Sequence, residues 1–176
     1  SRAALARSLV RETPVPESIK SAIAAEYGKL CEMYSPGVDV GVRSSATTED
    51  SADASFAGQY ESYLNVSGEQ DIIEKWRRCV ASMFTERAIG YHLEHNMHPL
   101  DSAIAVVVMK MARSDKGSSG VMFTIDPDSG HEGVIHIGSS YGLGELVVQG
   151  VVSPDTFTVW KEGLRQGKFP VVHRTL

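Results

Sequence analysis

A run of small residues between two predicted strands constrains this chain more than any other feature. The alternating Val38, Val40 and Val42 predict a buried strand that ends at Arg43, and a second strand is predicted over residues 60–66. Ser, Thr, Ala and Gly dominate the segment between them, together with three acids. Small residues allow a backbone to come close to a ligand, and their N–H groups can bind an anion. The run therefore predicts a phosphate-binding loop.

Arg43 is the predicted charge clamp of this loop. A guanidinium fixed at a strand end can hold two phosphate oxygens in a planar fork. The hydroxyl side chains that follow, beginning with Ser44, are better suited to donate to phosphate than to act as nucleophiles, because no histidine lies nearby to activate them. The alternative is a polar surface loop with an incidental arginine. We favour the binding loop, since loops of this length are usually functional.

Composition excludes several classes of partner. The chain has 176 residues, 42% of them hydrophobic, which is enough for a core in one domain or two small lobes. Its formal net charge of −5 and the lack of a basic stripe argue against binding to nucleic acid. No apolar run is long enough to span a bilayer. Cys31 and Cys79 fit no ligand spacing, so a reducing, cytoplasmic location is predicted.

Helical periodicity comes early in the chain and strand patterns come late. Helices are predicted over residues 2–10 and 17–33, and one apolar stripe from Ile72 to Ile89 predicts a longer helix that packs on the core. Besides the two strands already named, the predicted strands are 103–111, 119–125, 133–138, 157–160 and 170–173. A hairpin turn is expected at residues 115–117, between the strands 103–111 and 119–125.

This order of elements predicts an α+β fold. We expect a mixed or antiparallel sheet with packed helices, made of a helical lead-in at residues 1–37 and a sheet-rich region at 38–176.

Two groups of residues could suggest a metal site. His92, His95 and His98 would spread over roughly 120° of a helix face, wider than the i, i+4 pair that a zinc helix uses. We therefore expect a solvated helix end there. Asp126 and Asp128 could bind magnesium, but capping of backbone N–H groups in a turn is favoured.

Two blocks of sequence resemble the nucleotide-binding domain of the phosphoenolpyruvate synthase (pyruvate, water dikinase) family. The first consists of residues 42–50 (VRSSATTED), 54–59 (ASFAGQ) and 64–66 (LNV). The second consists of residues 119–129 (SGVMFTIDPDS), 141–145 (YGLGE), 147–150 (VVQG) and 153–155 (SPD). The resemblance covers most of residues 38–160 and implies that the chain is a partial ATP-binding domain with an ATP-grasp-like fold. Pyruvate phosphate dikinase and rifampicin phosphotransferase share weaker versions of these motifs.

The resemblance also implies a site for ATP and Mg²⁺. Arg43 would be the catalytic residue, because it would neutralise charge on the transferring phosphates. Gly58 and the Ser62 hydroxyl would donate to the phosphates, and the strand at 106–111 would face adenine. Glu145 would accept from ribose hydroxyls or act near the metal, although a helix-start acid is an equal alternative. The implied ATP-binding residues are Arg43, Ser44, Gly58, Gln59, Ser62, Met109, Met111 and Glu145.

In this family, ATP phosphorylates a histidine on a separate domain, and the phosphoryl group then passes to pyruvate, giving phosphoenolpyruvate, AMP and phosphate. The family's Gly-Gly-Lys segment, its Asp-x-Glu and Gln-x-Arg motifs, its carrier histidine and its pyruvate barrel have no counterpart here. Met109 stands where the family usually has glutamine. We therefore expect part of a longer enzyme, inactive alone, whose partners are ATP and the remaining domains. Exposed strand edges would allow a homodimer.

Two alternatives to this function stay open. One is the ATP domain of a rifampicin phosphotransferase, which shares the arginine motif but phosphorylates a drug hydroxyl. The other is a non-catalytic interaction module with the same fold, which Met109 and the missing lysine favour. A scaffold of that kind would not depend on Arg43 for binding ATP.

Overall fold

The computed structural model describes residues 2–47, 50–51, 54–55, 60–95, 97–98 and 101–176. The chain divides into two compact units, Ser1–Met111 and Ala112–Leu176. Every strand pairing within the described residues is antiparallel. The α+β class expected from the sequence is confirmed.

The first unit contains a three-stranded sheet and packed helices. Its helices are α1 (Arg2–Glu12), α2 (Glu17–Met33), α3 (Glu69–Ser82) and α4 (Glu86–Glu94). Its strands are β1 (Val40–Ala46), β2 (Asp50–Ser51), β3 (Ala54–Ser55), β4 (Ser62–Val66) and β5 (Ile104–Lys110). The three-stranded sheet has the order β4-β1-β5, and β2 pairs with β3 separately. The helical lead-in predicted at residues 1–37 belongs to the same compact unit as this sheet.

The core of the first unit lies between this sheet and the helices α2 and α3. Its buried residues are Tyr27, Val38, Val40, Val42, Val66, Ile72 and Cys79. The Tyr27 hydroxyl donates to the Val38 carbonyl at 3.1 Å and accepts from the Gly68 N–H at 2.9 Å. This one side chain therefore fixes α2 against the start of β1 and against the turn that precedes α3.

The single helix predicted from Ile72 to Ile89 is wrong, because the structure has two helices there. Helix α3 ends at Ser82, and Thr85 is the N-cap of α4. The Thr85 side chain accepts a hydrogen bond from the Ala88 N–H at 3.1 Å. A side-chain oxygen that binds a free helical N–H group starts a new helix. The apolar stripe continues across this break, which is why periodicity alone does not reveal it.

The second unit is a four-stranded meander with short helices. Its elements are β6 (Ser118–Phe123), β7 (Val134–Tyr141), α5 (Glu145–Val148), β8 (Asp155–Trp160), α6 (Lys161–Arg165) and β9 (Val171–Thr175). The sheet order is β6-β7-β8-β9. Lys161 begins α6, and its ammonium group donates to the carbonyls of Thr124 and Glu132. This lysine therefore ties the end of β8 to the segment that connects β6 and β7.

The hairpin turn predicted at residues 115–117 is also wrong. A short 3₁₀ helix spans Ser114–Lys116, and the strands on its two sides do not pair with each other. Strand β5 pairs with β1, whereas β6 pairs with β7. The turn residues were recognised correctly, but local sequence does not determine which strand is the partner.

None of the helices in the described part of the chain combines the length and the apolar character needed to cross a membrane.

Candidate functional site

One face of the three-stranded sheet carries the candidate site. Along β1, Val40 and Val42 are buried in the core, and side chains alternate between the two faces of a strand. Arg43 therefore points away from the core. Arg43 lies opposite Ser62 in β4 and opposite Val107 in β5. Directly opposed residues of antiparallel strands project on the same side, so these three side chains form a row across the sheet.

Both methionines predicted at the site lie beside this row. Met109 lies opposite Gly41 and is 50% exposed, whereas Met111 is buried. A side-chain carbon built on Gly41 would lie 3.6 Å from the Met111 Sδ atom, 3.6 Å from the Leu64 side chain and 3.8 Å from the Arg43 Nε atom. The side chains of Leu64, Met111 and Arg43 therefore meet over Gly41. We call the surface formed by Arg43, Ser62, Val107, Met109 and Met111 the open face.

Arg43 is an exposed cation on the open face. The ion pairs and side-chain hydrogen bonds found within the described part of the chain do not involve its guanidinium group. The strand was predicted to end at Arg43, and this boundary is wrong, because β1 continues to Ala46. Arg43 thus lies in the middle of a central strand, where pairing on both sides fixes its backbone.

The structure places Ser44 on the other side of β1 from the open face. Its hydroxyl donates to the Glu61 carbonyl at 3.3 Å. Thr47, another hydroxyl of the predicted loop, exchanges hydrogen bonds with Ala103: its oxygen accepts from the Ala103 N–H at 3.1 Å. Both hydroxyls hold neighbouring backbone together.

Three further predicted ligands lie outside the described part of the first unit. Gly58 and Gln59 lie outside the described residues. Glu145 belongs to the second unit, where it is exposed, begins the short helix α5 and accepts from the Gln149 side-chain amide at 2.8 Å. Of the predicted site residues, the structure therefore brings together Arg43, Ser62, Met109 and Met111.

The solvated helix end predicted for the histidines is wrong at His92. His92 is fully buried, its Nδ1 atom is 2.7 Å from the Ala88 carbonyl oxygen, and its Nε2 atom is 2.8 Å from the Ser102 hydroxyl. A carbonyl only accepts, so Nδ1 carries the proton and Nε2 accepts from Ser102. Among the described residues, no three His, Cys, Asp or Glu side chains come together as a group that could hold a metal ion.

The interpretation of Asp126 as a turn residue is confirmed. Its carboxylate accepts from the Ser129 hydroxyl and from the Asp128 N–H. The hydrogen bond from Ser129 lowers the pKa of the Asp126 carboxyl below its usual range. The carboxylate therefore stays ionised and is used within its own turn.

Sequence reasoning missed a group of side chains behind the open face, where α3 packs on β1 and β4. Tyr63 donates its hydroxyl to the Glu61 carboxylate, and burial raises the pKa of Tyr63 above its ordinary value. Burial also raises the pKa of the Cys79 thiol to about 11. Ser82 is 2% exposed and accepts from the Glu61 N–H at 3.4 Å. Only the packing of α3 reveals these contacts.

The open face has the chemistry of a site for an anion joined to an apolar ring. An exposed guanidinium beside a hydroxyl can bind phosphate oxygens, and the adjoining apolar side chains offer a surface to a base. An α+β fold with such a face has the properties that a nucleotide-binding domain needs.

Comparison with known proteins identifies the family. Residues 1–175 match the family described as the pyruvate phosphate dikinase, AMP/ATP-binding domain, and the chain belongs to this family. It is 47% identical over 180 residues to a phosphoenolpyruvate synthase of Synechocystis sp., covering 99% of this chain and 22% of that protein. It is 46% identical to a phosphoenolpyruvate synthase of Helicobacter pylori and 42% identical to that of Escherichia coli, in each case covering 97% of this chain and 21% of the relative. The chain thus spans about a fifth of the length of these relatives, at 21–22%.

Proposed function

We propose that this chain is the ATP-binding part of a phosphoenolpyruvate synthase. In that enzyme, ATP would phosphorylate a carrier histidine, which would pass the phosphoryl group to pyruvate, giving phosphoenolpyruvate, AMP and phosphate. The observation that carries the proposal is the position of Arg43, exposed between Ser62 and Val107 on the open face of an AMP/ATP-binding domain. The carrier histidine and the pyruvate site would belong to other domains, so this chain alone would not turn over.

Arg43 would act as the phosphate clamp. Phosphoryl transfer places charge on the phosphate oxygens and depends mainly on positioning and charge stabilisation. The guanidinium group would bind two of these oxygens, and the Ser62 hydroxyl, directly opposite, would donate to a third. Arg43 is suited to this role because its backbone is fixed in the central strand of the sheet, while its guanidinium group is exposed to a ligand.

Val107 and Met109 would contact the adenine ring. They are 45% and 50% exposed and lie two residues apart on the same face of β5. A β-branched residue beside a polarisable thioether forms an apolar surface that adapts to a flat ring. Gly41 lies opposite Met109 and has no side chain, and the Arg43 Nε atom lies beside it, so one ligand could contact both Met109 and Arg43.

Mg²⁺ would enter the site with the phosphates. The described residues do not form a protein cage for a metal, since no group of three suitable side chains comes together among them. Mg²⁺ commonly binds phosphates and waters with only one or two carboxylates. A site with few protein ligands is compatible with this coordination. The ion would supply charge neutralisation, and Arg43 would supply the fixed positive charge of the protein.

The proposal includes several finer features. An ATP-grasp-like fold is supported by antiparallel sheets in both compact units. The partners would be ATP and the remaining domains of the longer enzyme, and pairing through the outer edge of β5 would give a homodimer. A cytoplasmic location is supported by the free thiols of Cys31 and Cys79.

Titration calorimetry with Mg-ATP tests the proposal. The variants are Arg43→Ala and, as a matched control, Arg87→Ala, which removes an exposed arginine from α4. The parent chain and the control should bind Mg-ATP equally, while Arg43→Ala should raise Kd by about 100-fold, because a charged clamp contributes on the order of 3 kcal/mol. If all three chains bind Mg-ATP with the same Kd, Arg43 does not bind the phosphates. An absence of binding to the parent chain would support a non-catalytic interaction module.

A further inference from the structure

The backbone of Glu61 is held by side chains on both sides of its Cα atom, through its N–H and through its carbonyl. Its N–H donates to the Ser82 hydroxyl at 3.4 Å. Its carbonyl accepts from the Ser44 hydroxyl at 3.3 Å and lies 3.5 Å from the Cys79 sulfur. Cys79 and Ser82 belong to α3 and are 0% and 2% exposed. Helix α3 and strand β1 thus fix the two successive peptide groups that flank the Glu61 Cα atom.

Ser82 has a chemical role here that only a hydroxyl group fulfils. Its Oγ–H donates to the Cys79 carbonyl at 2.7 Å, which uses its one proton. The oxygen lone pairs are then available to the Glu61 N–H. An alanine at position 82 would leave that N–H without its acceptor, and a partly buried N–H without an acceptor is costly. The peptide group between Tyr60 and Glu61 would then rotate so that this N–H finds another acceptor or water.

The backbone of Glu61 leads directly into the open face. Glu61 immediately precedes Ser62, the first residue of β4, and Ser62 lies opposite Arg43. Among the described residues, β4 pairs with β1 alone, and the irregularity of this pairing lies toward Val66, away from Ser62. The Ser62 end of β4 is held by its pairing with Arg43 and by the contacts to Glu61. These contacts therefore help to fix the start of β4 beside Arg43.

We propose that Ser82 is a positioning residue for the phosphate end of the nucleotide site. It holds the Glu61 N–H, and through the Glu61 backbone it sets Ser62 against Arg43, without touching the nucleotide. This role rests on the proposed function, because it assumes that the open face binds ATP. Ser44, on the core side of β1, holds the Glu61 carbonyl in the next peptide group, which joins Glu61 to Ser62.

The matched pair Ser82→Ala and Thr85→Ala tests this proposal. Each variant deletes a hydroxyl that accepts a backbone hydrogen bond, but the Thr85 hydroxyl caps α4 and does not contact Glu61. Both variants should lower Tm, and binding is measured where thermal melts show each to be folded. Ser82→Ala should raise Kd for Mg-ATP about tenfold, since the loss of a buried hydrogen bond is of that order. Thr85→Ala should leave Kd unchanged.

Two further titrations separate positioning from general loosening of the domain. Adenosine lacks phosphates, so its Kd should be the same for the parent chain and Ser82→Ala. In a Ser62→Ala background, Ser82→Ala should have no additional effect on Mg-ATP binding, because the hydroxyl that it positions is gone. If Ser82→Ala does not fold, Ser82→Cys is used, which keeps the size of the side chain but is a weaker acceptor.

The outcomes are distinguishable. Equal Mg-ATP binding by the parent chain and Ser82→Ala, with binding lost in Arg43→Ala, would overturn the positioning role and leave the proposed function standing. Weaker adenosine binding by Ser82→Ala would also overturn it, since the effect would then not be confined to the phosphates. If the parent chain does not bind Mg-ATP, the proposed function and the role of Ser82 fall together.

Discussion

Arg43 in β1 lies directly opposite Ser62 in β4, and on the other side it lies opposite Val107 in β5. A cation, a hydroxyl and an apolar side chain therefore stand in one row across three paired strands. Groups placed on a hydrogen-bonded sheet are held more precisely than groups on a loop. This row is part of the surface to which we propose that the nucleotide binds.

The Tyr27 hydroxyl should contribute measurably to stability. It donates to the Val38 carbonyl and accepts from the Gly68 N–H, and its ring lies in the core. Tyr27→Phe removes both hydrogen bonds and should lower the free energy of unfolding by about 1–3 kcal/mol. Urea denaturation measures this loss. The control is Tyr34→Phe at a side chain that is 51% exposed, which should change the free energy by less than about 0.5 kcal/mol. Equal effects of the two variants would contradict the role of Tyr27.

His92 should be a structural histidine. Its two ring nitrogens contact the Ala88 carbonyl and the Ser102 hydroxyl inside the core. His92→Ala would leave a cavity and two polar groups that lack their present partner, so we expect a loss of about 2–4 kcal/mol in the free energy of unfolding. The exposed His131 provides the control, and His131→Ala should cost less than about 0.5 kcal/mol. An increase in Tm on adding zinc that is lost in His92→Ala would instead indicate a metal site.

Stability should fall at alkaline pH in part because of Cys79. The thiol of the unfolded chain ionises at about pH 8.5, whereas burial raises the folded-state pKa of Cys79 to about 11. Between these values the unfolded state has lost a proton that the folded state retains, so raising the pH favours unfolding. We expect the stability of the parent chain to fall by on the order of 1 kcal/mol more than that of Cys79→Ala between about pH 8 and pH 10. Urea denaturation at both pH values checks this, and parallel losses in the two chains would refute it.

The sequence revealed those parts of the site that depend on alternation along one strand. Val38, Val40 and Val42 predicted a buried strand, and the structure buries all three; the same alternation puts Arg43 on the other face. Alternation also puts the Arg43 and Ser44 side chains on opposite faces of β1. The sequence analysis ended the strand at Arg43, and it therefore assigned Ser44 and the hydroxyl residues after it to one loop. The true end at Ala46 depends on pairing with β5, a strand far along the chain.

Other features could not be read from local sequence. The burial of His92 depends on Ser102, which reaches it from beyond the end of α4. The contact of Ser82 with Glu61 depends on how α3 packs against β1 and β4. In both cases the residue type is compatible with an exposed position, and only tertiary packing makes it buried and specific.

Methyl NMR of the chain labelled at methionine tests the central claim most directly, because the claim is that the nucleotide binds on the open face. Met109 and Met111 lie on that face, while Met33 in α2 and the buried Met83 lie elsewhere in the same unit. On addition of Mg-ATP, the Met109 and Met111 methyl signals should shift in a saturable manner, and those of Met33 and Met83 should not. Saturable binding that leaves Met109 and Met111 unshifted would contradict the account.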